Sequence, residues 1–374
     1  MTTRSVVTSV SRLWAAVLRL PRPLSVAAIT LVAASIVIAY RVDAFTMPQF
    51  YAEDGAHWFS DAYNLGALHA IGISLAGYLQ VVSRLGPVIA APFGIANQPL
   101  IYNICGLLIQ VAPVCYFLSS RFDTVVPSFW VRVVLSAVYL LMPAEELNVD
   151  ITSAPFHLAI LATLVIIAPA PARWYWKAFD LIAVLLCGFS GPFVYILLPA
   201  SVLWYLVRRK PFTLLLVAAL AVALGVQFYA SRLSPRPDVS LSASLQNLVL
   251  IVCDRIILAG IVAEPSHSHI YLAGHHHGVL LAGLICLLAI PVAVFAAMRA
   301  PWELRLFALV SLGIVIGGLL SPLVSLAGNQ WFVMATSGAA DRYFLMARVA
   351  WVVTLMWAAS RLPRIWMRRS AWAA

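Results

Sequence analysis

The sequence predicts an all-α polytopic membrane protein of about ten transmembrane helices. Three observations carry that reading. The 374 residues are 63% hydrophobic and only 10% charged, with a mean hydropathy of +0.95. Soluble chains carry roughly a quarter charged residues, and no water-soluble fold of this size hides so much apolar surface. The apolar residues fall into runs of spanning or near-spanning length. The basic residues fall on alternate connections between those runs. A soluble enzyme, a secreted domain, a coiled coil and a disordered chain are excluded by the same numbers.

The runs lie near 24–40, 98–119, 129–143, 155–170, 178–188, 191–207, 211–230, 277–297, 304–327 and 343–360. The first follows Arg4, Arg12, Arg19 and Arg22 and precedes no small-residue cleavage site, so it is expected to stay as a spanning helix. Ser190-Gly191-Pro192 is a tight-turn signal that makes 178–207 a helical hairpin. The stretch 240–263 is apolar enough to span, but Asp254-Arg255 sits in its middle. If it spanned, the Arg-rich C-terminal segment would change sides. It is therefore expected to lie at the outer interface, its charged pair facing water or a site.

With the N-terminus inside, the cytoplasmic segments hold 17 of the 24 basic residues against Asp123, Asp180 and Glu303, a net of +14. The outer segments hold the other 7 basic residues and 11 acidic ones, a net of −4. This positive-inside pattern places both termini in the cytoplasm. The overall charge of +10 then faces anionic lipid rather than nucleic acid. Cytoplasmic loops are short, and no phosphate-binding glycine loop, dinucleotide fingerprint or HExxH motif is present. The whole chain reads as one transmembrane domain, 1–374, with two long periplasmic loops: 41–97, bearing interfacial helices, and 231–276. The five cysteines (Cys105, Cys115, Cys187, Cys253 and Cys286) are scattered in apolar runs without metal-ligand spacing and read as small buried hydrophobes.

Chemistry is therefore sought in the outer loops. Loop 41–97 contains Tyr51-Ala52-Glu53-Asp54-Gly55-Ala56-His57-Trp58-Phe59, an adjacent carboxylate pair among aromatics with Asp61 close by. A carboxylate against an apolar wall has its pKa raised, which suits a general base. Farther on come Tyr78 and Arg84, the latter either snorkelling to lipid headgroups or serving a site. The short connection 143–157 crowds Glu145, Glu146, Asn148, Asp150 and His157 together, a carboxylate and amide mixture of the kind that binds sugar hydroxyls, though an ordinary polar turn has the same composition. Five histidines fall within 267–277, and His267, His269 and His275 are candidate metal ligands. Asp341-Arg342-Tyr343 opens the last helix, and Arg348 lies two turns deeper. An arginine inside a span needs a partner or a function, and a guanidinium matches a phosphate.

These features resemble the GT-C superfamily of integral membrane glycosyltransferases, which includes protein O-mannosyltransferases and lipid A aminoarabinose transferases. The resemblance rests on many spans with short cytoplasmic loops, the acidic pair Glu53-Asp54 in the first outer loop, interfacial helices after it, and Arg342-Tyr343 at the start of a late helix. The string from Tyr51 to Arg84 is similar to that of bacterial members of the group. The resemblance implies an enzyme of the bacterial inner membrane with a periplasmic active site and a polyprenyl-phosphate-linked sugar donor. The acceptor would be an envelope glycan, a lipid or a protein. It further implies Asp54 as general base assisted by Glu53, and a donor phosphate held by Arg342, Arg84 and Arg348. Candidate substrate contacts are His57, Tyr78, Glu146, Asn148, Asp150, His157 and Tyr343. No cofactor is certain, and a divalent ion is left open. A flippase or transporter, or a polymerase of lipid-linked saccharides, is the alternative. A non-catalytic scaffold would not need clustered outer carboxylates.

Overall fold

A computed structural model describes residues 21–236, 239–262, 277–325, 328–336 and 340–361. Ten helices of twelve residues or more dominate these segments: α1 Arg22–Tyr40, α2 Gln98–Leu118, α3 Phe129–Leu140, α4 Ala154–Ile167, α5 Trp174–Gly188, α6 Val194–Arg208, α7 Pro211–Leu233, α8 Gly278–Arg299, α9 Trp302–Leu320 and α10 Asp341–Ala359. The described residues contain no strand, only two isolated bridges. Five helices are long and apolar enough to cross a membrane: α1, α2 with its leading turn, α7, α8 and α9. The last helix, α10, matches them in length but carries Asp341, Arg342 and Arg348.

Helix α4 is the centre of the bundle. Twelve of its fourteen residues are buried, and it is apolar on every side. A helix of that kind has no face to offer water. Helices α2, α5, α6 and α9 pack around it, and α1, α7 and α10 form the next shell. The outer helix α8 is the opposite case. Its leucines point outward, with Leu280 68%, Leu284 58% and Leu288 76% exposed. An apolar face of that extent is stable only against lipid or another apolar surface.

Polar contacts sort into two ends. At one, Asp123 takes Arg22 and Arg132, Asp180 takes Arg121 at 2.7 Å, and Glu303 takes Arg208. All three acidic residues that the charge pattern assigns to the basic side are paired there with arginines. At the other end, Arg41 donates to the Asn148 carbonyl, Arg84 pairs with Asp61, and Arg342 pairs with Glu146. Successive helices thus run alternately between a basic end and a loop-rich end.

The predicted turn at 190–192 is present. Gly191 adopts φ +100, where a side chain is strained, and its N–H donates to the Leu79 carbonyl at 2.8 Å. Gln227 of α7, wholly buried, locks this turn. Its amide oxygen accepts from Leu79 N–H, and its nitrogen donates to the carbonyls of Gly188 and Gly191. The first outer loop folds into short helices, of which Asp54–Phe59, Ser60–Leu65 and Val81–Ala90 border the site. The 240–263 stretch is helical over Leu245–Leu250 and Ile251–Leu258. Of the two settings expected for the charged pair, water or a site, the first is excluded. Asp254 and Arg255 do not face water: they are 1% and 0% exposed, and Arg255 pairs with Asp341 at 2.8 Å. The stretch packs against α8 and α10, so its charged pair is held inside protein.

Helix α2 meets the 148–153 segment at Gly106. A Cβ there would lie 2.6 Å from the Asp150 carbonyl oxygen, so backbone would have to move. Gly106→Ala is expected to destabilise by about 1–3 kcal/mol and to lower the melting temperature in detergent. Gly283→Ala, whose Cβ meets nothing within 4 Å, serves as the control and should leave the melting temperature unchanged.

Candidate active site

The site begins where the chain turns into the Asp54–Phe59 helix. Ala52 takes φ 44, a left-handed conformation uncommon for alanine. That turn aims the Asp54 side chain inward rather than to solvent. Asp54 is 0% exposed. Its Oδ1 accepts the Thr152 hydroxyl at 2.6 Å, and its Oδ2 accepts the Tyr51 N–H at 3.4 Å. Thr152 is in turn held by the Trp58 indole N–H at 2.8 Å. Burial pushes the Asp54 carboxyl up to about 7, against the opposing pull of the Thr152 and Tyr51 hydrogen bonds. Burial outweighs both because two hydrogen bonds do not replace a carboxylate's hydration.

A second carboxyl lies nearby. Asp150 accepts the Ser153 N–H at 2.5 Å through Oδ1, while its Oδ2 is buried without a partner. Its pKa is raised well above the ordinary carboxylate range, by burial first and by the charge of Asp54 second. Asp54 and Asp150 are thus a like-charged buried pair that resists carrying two negative charges at once.

Arg84 stands on the far side of Trp58. Its guanidinium lies 4.8 Å above the indole ring and donates to Asp61 at 2.9 Å. It is 1% exposed, so it does not snorkel to headgroups, and its Nε and Nη2 have no partners. A chain of contacts therefore runs Asp54, Thr152, Trp58, Arg84, Asp61.

Above the carboxyl pair is a rim of tyrosines and guanidinium groups. The Arg342 backbone N–H donates to Glu146 Oε1 at 2.8 Å, and its guanidinium lies 3.6 Å from Oε2. Arg342 also donates to the Leu323 carbonyl at 2.8 Å and stacks 5.2 Å over Tyr343. It remains 31% exposed, so part of its guanidinium faces out. Tyr343 is fitted against Gly318, where a Cβ would lie 2.7 Å from its ring. Arg236 lies 5.7 Å over the Tyr78 ring. Burial pushes the Tyr78 hydroxyl up, while Arg236 and Arg342 pull the other way. The Tyr51 hydroxyl is also pushed up, by burial and then by Asp150 and Glu146. Tyr51 thus feels the charges of Asp150, Glu146 and Arg342, and Tyr78 those of Arg236 and Arg342.

The structure brings together Asp54, Asp150, Tyr78, Glu146, Arg342 and Tyr343, with the partly exposed Glu53 beside them. It gives three others framework duties. His157 is 2% exposed and uses both ring nitrogens, on the Tyr139 hydroxyl at 2.7 Å and the Leu147 carbonyl at 2.9 Å. Asn148 accepts from Gln110 at 2.6 Å. Arg348 is 0% exposed and donates to the carbonyls of Arg255 and Pro143 and to Asp341. A guanidinium so committed has no face left for a phosphate. His57 is half-buried with its ring 6.2 Å from Trp58. His267, His269 and His275 lie outside the described residues. Among the described residues, no group of three or more His, Cys, Asp or Glu could hold a metal ion.

Four contributors were not singled out in the sequence: Tyr51, Thr152, Arg236 and Asp341. Arg236 carried one legible signal, its place between two prolines in Ser234-Pro235-Arg236-Pro237, which limits the backbone of that segment. Thr152 carried none.

Asp341 is the shared carboxylate of Arg255 and Arg348. Removing one partner of a buried charge network costs about 3–5 kcal/mol. Asp341→Asn is expected to lower the melting temperature in detergent sharply. Asp61→Asn, at a carboxylate 28% exposed, is expected to cost much less. Equal losses would mean that the Arg255–Asp341–Arg348 network is not a stabilising core. No protein-family model matches this chain, and no characterised protein or solved structure does either.

Proposed function

We propose that the protein is a GT-C-like glycosyltransferase of the bacterial inner membrane. It transfers a sugar from a polyprenyl-phosphate-linked donor to a glycan, lipid or protein acceptor at the periplasmic face. In this reading α1 to α10 all cross the bilayer, both termini lie in the cytoplasm, and the loop-rich end faces the periplasm. The alternation of helix direction and the sorting of Asp123, Asp180 and Glu303 onto the arginine-rich end support that topology.

The observation that carries the reading is a buried carboxyl poised near neutrality, Asp54, at the same end of the molecule as a partly exposed guanidinium, Arg342. The first is what a base for a hydroxyl proton requires. The second is what a departing phosphate requires. The acceptor hydroxyl oxygen forms a bond to the anomeric carbon of the donor sugar. The bond from that carbon to the phosphate oxygen breaks, and the electron pair leaves with polyprenyl phosphate. The hydroxyl proton passes to Asp54. Direct attack inverts the anomeric centre. Glu53, beside Asp54 and partly exposed, orients the acceptor, and Tyr78, Glu146 and Tyr343 line the approach. Arg342 and Arg236 meet the developing phosphate charge, with Arg84 behind Trp58 holding the base's surroundings in place. Asp54 is fully buried and takes hydrogen bonds from Thr152 and the Tyr51 N–H, so an acceptor reaches it only after it is uncovered.

The proton-transfer role has a definite sign in pH. Asp54 is competent only when ionised, so transfer should rise with pH through about 7 and level off above. Thr152→Val removes a hydrogen bond that favours the ionised form and should move that rise to higher pH without abolishing transfer. Asp54→Asn should reduce transfer by about 10²–10⁴-fold while leaving the melting temperature close to wild type. A glycan and lipid profile of a deletion strain, complemented by wild type or by Asp54→Asn, is the direct check. One missing sugar restored only by wild type supports the transferase. Accumulated unpolymerised or unflipped lipid-linked units would instead assign a polymerase or flippase. Full rescue by Asp54→Asn would remove the base assignment.

A further inference from the structure

A second feature lies at the opposite end of the molecule. An apolar cleft of about 520 Å³ opens between α3 and α10, floored by α2 and α4. Along α10 and its C-terminal cap it runs from Val349 to Ser360, eleven residue steps or about 16 Å. That is about half of a ~30 Å hydrocarbon core, the depth of a single leaflet. The cleft ends at Pro301 and Glu303, at the basic end. There it meets a smaller, more polar pocket of about 240 Å³, with which it shares Val125, Ile167 and Glu303. Arg208, Lys210 and Thr213 line this second pocket.

We infer that the cleft and pocket together bind one anionic glycerophospholipid of the leaflet at the basic end, an acyl chain in the cleft and the headgroup phosphate against Lys210 and Arg208. Charge complementarity decides the occupant. Glu303 takes Arg208 as an ion pair, which leaves the pocket with a net positive charge from Lys210. The pocket also adjoins the first turn of α7, which starts at Pro211. The first N–H groups of a helix have no intrahelical acceptor and favour a phosphate. The depth of the cleft suits a chain that ends at mid-bilayer; a polyprenyl chain of tens of carbons is much longer. This site is separate from Asp54 and does not rest on the sugar-transfer reading. It requires only that the helices lie across a bilayer.

The test uses the full-length protein reconstituted in vesicles of equal parts phosphatidylcholine and phosphatidylglycerol, then extracted in mild detergent. Retained lipid is quantified by mass spectrometry. A basic residue near a lipid surface is worth about 1 kcal/mol, so phosphatidylglycerol should be enriched about fivefold over phosphatidylcholine. Lys210→Glu should abolish the enrichment while leaving total retained lipid similar. Val131→Trp, at an exposed residue lining the cleft, should reduce retention of both lipids. Both positions are exposed, so the folded state should persist, and an unchanged melting temperature verifies it. Retention at the bulk ratio by wild type, or an unaltered pattern in both variants, overturns the proposal. Displacement of phosphatidylglycerol by added undecaprenyl phosphate also overturns it and gives the cleft to an isoprenoid.

Discussion

Every polar group inside the bundle has to be answered by another protein group, and this constraint organises the rest of the structure. Hydrocarbon offers no hydrogen bonds, so an unanswered donor or acceptor costs several kcal/mol. The bundle meets the constraint with a few dense knots. Gln227 uses both ends of its amide on Leu79, Gly188 and Gly191 and so fixes α7 to the α5–α6 turn and the first outer loop. Asp180 takes both Arg121 and the Tyr116 hydroxyl. Asp341 holds two guanidinium groups, one from α10 itself and one from the helix Ile251–Leu258. Each knot joins segments far apart in sequence. Dispersion between apolar helices is nearly as favourable against lipid as against protein, so such contacts do much to set which helices are neighbours.

The same constraint gives Asp54 its chemistry. A carboxyl at the water surface would ionise near its ordinary value. Buried and bonded to Thr152 and the Tyr51 N–H, it loses hydration and its proton affinity rises to about 7. Asp150 adds a like charge that keeps the two from ionising together. Proton affinity at neutral pH is thus obtained from burial, without a specialised residue type.

The helices were legible in sequence because apolar runs and charge alternation are local signals. All ten runs have a helix, and the break at Ser190-Gly191-Pro192 has its turn. For Asp254-Arg255 the choice between water and a site could not be made in sequence, because a charged pair in an apolar stretch reads as surface unless its partner is known. The partner, Asp341, is more than eighty residues away. Arg348 was misassigned for the same reason: an arginine in a span advertises a need for partners but does not say whether they are protein or ligand. His157 and Asn148 repeat the lesson, since the Tyr139 and Gln110 that engage them lie on other helices. At the site, Glu53, Asp54 and Arg342 were legible as charges in outer segments, whereas Thr152 and Arg236 became visible only when three separate loops were brought to one place.

Among the described residues, buried polar atoms without a protein partner occur in the framework as well as near Asp54: Arg132 Nε, Ser136 Oγ and the Trp351 and Trp357 indole nitrogens are examples. His157, Gln227 and Arg348 all have their polar atoms engaged by protein. Other unmet groups lie near Asp54. Asp150 Oδ2, the Tyr102 hydroxyl, and Nε and Nη2 of Arg84 are all buried without a protein partner. Asp150 responds to the charge of Asp54, and Arg84 reaches it through Trp58 and Thr152. Folds retain unsatisfied buried groups where function requires them. Near Asp54 those groups are two Arg84 N–H donors, the Tyr102 hydroxyl and an Asp150 carboxyl oxygen, each able to bond a hydroxyl. On the proposed sugar-transfer reading, a bound sugar would supply hydrogen bonds that the protein leaves open near Asp54, so substrate binding and relief of part of the buried polar cost would be the same event.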